Sequence, residues 1–108
     1  MPIVITKDNF EKEIKQFDKP IVIDVYATWC GPCQQMKPIF NDLEKEFEGR
    51  CKFAALNVDE VRDLSIMFGV TSVPTFIFYF NGEMHSKDTG YMSKEALKSR
   101  IEEFVASV

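Results

Sequence analysis

Ile21-Val22-Ile23-Asp24-Val25-Tyr26-Ala27-Thr28-Trp29-Cys30-Gly31-Pro32-Cys33 carries an apolar run directly into two cysteines separated by two residues. Residues 21–27 are apolar on both faces, which suits a buried central strand rather than an edge. Pro32 suits the first turn of a helix, where its missing N–H leaves no bond unmade. A strand that delivers a C-x-x-C to the start of a helix is a redox-site arrangement, because the two sulfurs can form or open a disulfide within one turn. Cys30 would then sit at the helix N-terminus, beside unpaired backbone amides and the positive end of the dipole. Lowering a free cysteine's pKa of about 8.5 to about 7 takes roughly 2 kcal/mol. A helix terminus supplies about 0.3–1 kcal/mol. Amide hydrogen bonds and the Cys33 thiol must therefore contribute the rest.

Working outward, Ile3–Ile5 reads as a short strand, and a helix is expected from about Asp8. Phe10, Ile14 and Phe17 give that helix one apolar face at i, i+4 and i+7. From Pro32 to about Glu48 the pattern is helical, with Met36, Ile39, Phe40, Leu43 and Phe47 on one face. Pro38 lies inside this helix and is expected to kink it. Lys52–Asp59 reads as a second buried strand. A short helix through Val61, Leu64 and Phe68 follows, ended by Gly69. Thr75–Phe80 is an aromatic strand, Asn81-Gly82 a hairpin turn, and Glu83–Thr89 a further strand. Ser93 caps a last helix whose Leu97, Ile101, Phe104 and Val108 are expected to face the core. The order β-α-β-α-β-α-β-β-α predicts an α/β fold. It gives a mixed central sheet of five strands flanked by four helices on its two faces.

The whole chain, 108 residues at 45% hydrophobic with ten phenylalanines, fits one domain over 1–108 with an ordinary core. A net charge of −4 offers no electrostatic case for nucleic acid. Met1–Thr6 lacks the basic head and apolar segment of a signal peptide, and no run approaches the ~20 apolar residues that span a bilayer. A cytoplasmic protein with no membrane partner is expected. Three cysteines are an odd number, which argues against a secreted disulfide framework. A zinc knuckle would want four ligands. Beyond Cys30 and Cys33 the candidates are Cys51 and His85, neither paired with a second ligand, so no metal site is expected.

Trp29-Cys30-Gly31-Pro32-Cys33 and the element order together resemble the thioredoxin family over essentially the whole chain. Three further matches lie outside the motif: Asp24, six residues before Cys30; the segment Val73-Pro74-Thr75; and Gly90. The resemblance implies a thioredoxin fold and a general dithiol–disulfide oxidoreductase. In such a protein Cys30 attacks a substrate disulfide and Cys33 resolves the mixed disulfide. Gly31 and Pro32 look like the dipeptide of the reducing members, and they tune the pair. Asp24 implies a buried acid with a raised pKa that accepts the Cys33 proton through water; a strand-end aspartate bonded to nearby backbone is the other reading. Val73-Pro74 implies a cis bond that frees the Val73 backbone to pair with an extended substrate. Trp29, Gly31, Pro32, Val73, Pro74 and Gly90 would form a flat apolar docking patch. No cofactor would be bound. A thioredoxin reductase would re-reduce the pair with electrons from NADPH, and the protein would act as a monomer on disulfide-containing proteins.

Around the motif the chain departs from its relatives. Many bacterial members carry a lysine where Ala55 stands beside the buried acid, so Asp24 is expected to lack a cation and to hold its proton more tightly. Gln34 replaces a frequent lysine or arginine. Tyr91 either narrows the substrate groove or is a plain surface residue. Cys51, on the face of Phe53 and Ala55, reads as a buried inert thiol or else a regulatory one, and His85 decorates the hairpin. A competing class is a binding module that uses the apolar patch without cycling its thiols.

Overall fold

A computed structural model describes residues 1–108. The apolar run forms β2 (Ile21–Tyr26) at the centre of a five-stranded sheet. The spatial order is β1 (Ile3–Val4), β3 (Lys52–Asn57), β2, β4 (Thr75–Phe80) and β5 (Glu83–Thr89). β2 pairs parallel with β3 and antiparallel with β4, and β1 and β5 close the two edges. A strand bonded on both sides and covered on both faces needs apolar side chains in both directions. Here Ile21, Ile23 and Val25 point to one layer, and Val22 points to the other together with Phe53, Phe76 and Phe78.

The Val22 layer is covered by α1 (Gly31–Glu46) and α3 (Lys94–Ser107), through Met36, Phe40, Leu43, Leu97, Ile101 and Phe104. Phe40 lies 4.7 Å from Phe53 and 6.0 Å from Phe76, centroid to centroid. The opposite layer is covered by α2 (Arg62–Met67) and a π-helical turn at Glu11–Lys15, with Phe10, Ile14 and Phe68 packed inward. The expected mixed sheet of five strands and four helices is the one observed.

Some details depart from the expectations and others meet them. The first helix does not start at Asp8. Thr6 and Asn9 bond reciprocally, Thr6 N–H to Asn9 Oδ1 at 2.8 Å and Asn9 N–H to Thr6 Oγ1 at 3.1 Å. They cap a wide turn in which Gln16 N–H reaches back five residues to Glu11. Val108 follows the last helical residue and is 41% exposed rather than core-facing; Phe104 ends the buried face. Pro38 sits within α1 without ending it. Asn81 and Gly82 take φ of 54° and 84°, the left-handed pair that a tight hairpin requires. At the end of α2, Gly69 takes φ of 70°, and Val70 N–H bonds back to Ser65. Lys87 Nζ from β5 donates to the Phe68 and Gly69 carbonyls at 3.2 and 2.7 Å, satisfying the helix end.

Candidate active site

β2 ends at Tyr26, and Ala27–Cys30 turns the chain into α1. Cys30 is the N-cap of that helix in extended conformation, and Pro32 occupies its first turn. A cap normally needs a side-chain acceptor. Here the Cys30 sulfur takes that role, accepting Cys33 N–H at 3.2 Å. Cys30 and Cys33 are joined as a disulfide with Cα atoms 5.2 Å apart, within the ordinary range for such a bridge. Cys30 keeps 6% of its surface exposed and Cys33 none.

The Val73-Pro74 peptide is cis, and the Val73 carbonyl lies 3.7 Å from Cys30 Sγ. Val73 N–H donates to no acceptor in the chain. Gly90, at φ 107°, sends its N–H to the Pro74 carbonyl at 2.8 Å, which brings a third segment to the dithiol. Trp29 is 73% exposed, so it does not fill the core. Its indole N–H donates to Asp59 Oδ2 at 3.1 Å. Trp29 and Val73 line an apolar groove of about 380 Å³ with Val58, Val70, Thr71 and Ser72. Tyr91 is exposed but does not line that groove.

Asp24 is 3% exposed in the middle of β2, between Ala55 on β3 and Phe76 on β4. Its Oδ1 has no hydrogen-bond partner, so no backbone group ties it down. Burial pushes its pKa up to about 7, and the Lys37 charge pulls the other way. Lys37 corrects one expectation. The position beside the acid is indeed the neutral Ala55, yet a cation reaches the same carboxyl from α1. Lys37 follows Cys33 by four residues, one helical turn on the same face, and that spacing was the available signal. Its Nζ stands 4.9 Å from the centre of the Tyr26 ring, and both residues line a cavity of about 140 Å³ with Asp24.

Cys51 is buried beside Phe53, and desolvation pushes its thiol up to about 12. His85 lies on the hairpin against the Phe80 and Phe104 rings. No three His, Cys, Asp or Glu side chains stand together as a metal site. Gln34 bonds the Thr28 carbonyl at 3.3 Å.

A buried strand feeding a cysteine pair into a helix N-terminus, faced by a proline loop, defines a dithiol–disulfide oxidoreductase. The thioredoxin family model matches residues 1–103. The chain is 34% identical over 93 residues to a thioredoxin of Rickettsia felis, covering 86% of this chain and 89% of that one. It is 30% identical to a Pseudomonas aeruginosa thioredoxin over 91% of each chain. It is 31% identical to a chloroplastic M-type thioredoxin of Pisum sativum, covering 94% of this chain and 59% of that one. The protein belongs to the thioredoxin family, with Cys30 and Cys33 as its redox pair. Members of that family need no bound cofactor and exchange electrons with disulfide-containing proteins and with reductases. No helix of the chain is long and apolar enough to cross a membrane.

Proposed function

We propose that Cys30 is the attacking sulfur and Cys33 the resolving one in the reduction of protein disulfides. In the reduced protein the Cys30 thiolate attacks a substrate disulfide, forming a Cys30–substrate S–S bond and releasing one substrate thiolate. Cys33 then loses its proton to Asp24, and its thiolate attacks Cys30 Sγ. The Cys30–Cys33 disulfide forms, the second substrate sulfur leaves as a thiolate, and two electrons have passed to the substrate. The observation that carries this polarity is the Cys33 N–H bond to Cys30 Sγ. A bond of that kind to a charged acceptor contributes about 1.5–3 kcal/mol, enough with the helix end to activate a thiolate at Cys30. Cys33, fully buried, is out of reach of a docking protein until the mixed disulfide has formed.

Asp24, with a pKa of about 7, is poised to take and return a proton near neutrality. Gly31 and Pro32 set the helix start that holds the sulfurs. Trp29, Val73, Pro74 and Gly90 form the docking face, on which an extended substrate segment pairs with the free Val73 N–H. Tyr91 stands at the rim beside Gly90. Residues 1–108 act as a single domain and as a monomer in the cytoplasm, re-reduced by a thioredoxin reductase that draws on NADPH. The test is turnover of insulin disulfides by this protein with such a reductase and NADPH. Turnover that vanishes in Cys30→Ser supports the reading, and full biological activity in a Cys30→Ser, Cys33→Ser double variant overturns it.

A further inference from the structure

An amide that is to meet a substrate must be aimed before the substrate arrives. Between Gly69 and Pro74 the backbone has little of its own to aim it with. Val70 N–H bonds back to Ser65, but the amides of Thr71, Ser72 and Val73 donate to no backbone acceptor. The ends of this loop are pinned from β5, by Lys87 Nζ on the Gly69 carbonyl at 2.7 Å and by Gly90 N–H on the Pro74 carbonyl at 2.8 Å. Neither bond fixes the plane of the Ser72–Val73 peptide, which carries the open Val73 N–H.

That plane is held by side chains. No backbone N–H reaches the Ser72 carbonyl; the Thr75 hydroxyl does, at 2.8 Å. Thr75 is 1% exposed, which keeps water from competing for this bond. A threonine has one hydroxyl proton to give, and here it is committed to Ser72. The contact of 3.1 Å between Thr75 Oγ1 and Thr89 Oγ1 therefore has Thr89 as its donor. Thr89 is placed for this by standing directly opposite Thr75 in the β4–β5 ladder, on the same face of the sheet. The one cis bond of the chain is Val73-Pro74, so the Ser72–Val73 peptide is trans. In a planar trans peptide the C=O and N–H point in opposite directions. A carbonyl drawn onto Thr75 thus turns the Val73 N–H away from Thr75, where it finds no backbone partner.

We propose that Thr75 and Thr89 are positioning residues for substrate binding: their hydroxyls hold the Ser72–Val73 peptide in the orientation that presents the Val73 N–H to an extended substrate. The proposal rests on the reading that such a segment pairs with that N–H. The bonds then run head to tail, Thr89 O–H to Thr75, Thr75 O–H to the Ser72 carbonyl, and Val73 N–H to a carbonyl of the substrate. A chain of this polarity strengthens its members, since a carbonyl that accepts a bond makes the N–H of its own peptide the better donor. An amide oriented in advance also relieves the substrate of ordering the loop as it binds. A disulfide that lacks a peptide carbonyl gains nothing from the device.

Thr75→Val keeps the shape of the side chain and removes the hydroxyl, whereas Thr75→Ser keeps the hydroxyl. Thr89→Val removes the outer hydroxyl from an exposed position and serves if the buried change perturbs folding. The measurements are KM and kcat for an extended peptide disulfide and for bis(2-hydroxyethyl) disulfide. With the peptide, Thr75→Val should raise KM by about two- to tenfold, the factor that one net hydrogen bond carries, with kcat unchanged. Thr89→Val should move KM the same way by less, and Thr75→Ser should stay near the parent value. The small disulfide should not distinguish the four proteins. Equal losses with both substrates mean a disturbed dithiol, and no loss with either means an amide that needs no aiming; each overturns the proposal. Hydrogen exchange at the Val73 amide, in the peptide adduct trapped on Cys30 by Cys33→Ser, separates the proposal from the pairing it rests on. Protection in that adduct that weakens when Thr75→Val is added supports the proposal, and undiminished protection overturns it. No protection with Thr75 in place overturns the pairing, and the proposal with it.

Discussion

Replacing Asp24 with asparagine should stabilise the folded protein in a pH-dependent way, although it removes the proposed proton acceptor. An ordinary aspartate titrates near 3.8, and burial holds Asp24 up to about 7. Between these values the folded chain keeps a proton that the unfolded chain has released. Stability therefore falls as pH rises through this window and levels off above about 7. At 1.36 kcal/mol per pH unit, the accumulated cost of the charged carboxylate is about 4 kcal/mol. Asparagine cannot ionise, so its stability should lack this slope. Urea unfolding of the oxidised proteins at pH 4, 6 and 8 measures the difference directly. The gap between Asp24→Asn and the parent should widen by about 4 kcal/mol from pH 4 to pH 8. Parallel pH profiles, or a parent that gains stability over this range, would refute the reasoning, since either means that Asp24 ionises in the fold at little cost.

Lys37→Met removes the cation that favours the charged form of Asp24, so the stability slope of the parent should extend to higher pH; an unmoved profile would show that the lysine does not reach the carboxyl. Cys33→Ser should accumulate a covalent Cys30–substrate adduct, seen as added mass under non-reducing conditions, whereas Cys30→Ser should form none. Cys51, held at about 12 by burial, should resist iodoacetamide at pH 8 in the oxidised protein and label once urea unfolds it. Gly69→Ala places a methyl 3.0 Å from Lys87 Nζ at a positive φ. It should cost about 1 kcal/mol or more, read as a lowered urea midpoint.

Most of the fold was legible because its signals are local. The two-faced apolar run at 21–26, proline in the first turn after Cys30, and Asn81-Gly82 each specify a backbone shape by short-range sterics. The resemblance supplied what local rules do not: the cis Val73-Pro74 peptide, which the geometry of X-Pro bonds alone disfavours. The wide turn at Glu11–Lys15 escaped because Phe10 and Ile14, four apart, fit an α-helix equally well. What decides between the two is how Thr6 and Asn9 close the preceding turn. Periodicity carries on to Val108 past the end of α3, whereas the helix stops at Ser107. Lys37 went unseen beside Asp24 because their meeting depends on how α1 lies across β2, a tertiary fact with only the i+4 relation to Cys33 as a trace in the sequence.

The two rims of the sheet show how such a protein exposes backbone selectively. On one side β1 is two residues long. On the other, β5 reads Glu83-Met84-His85-Ser86-Lys87-Asp88-Thr89, charged or polar at nearly every position, with Lys87 and Asp88 already engaged by Gly69 and Arg100. Short or charge-studded margins are poor templates for a stray strand. Under the proposed function the protein receives extended substrate segments, and it would otherwise risk accreting them along its flanks. In the proposed function, the place left open to an incoming strand is the Val73 amide, beside the sulfur that would react with it.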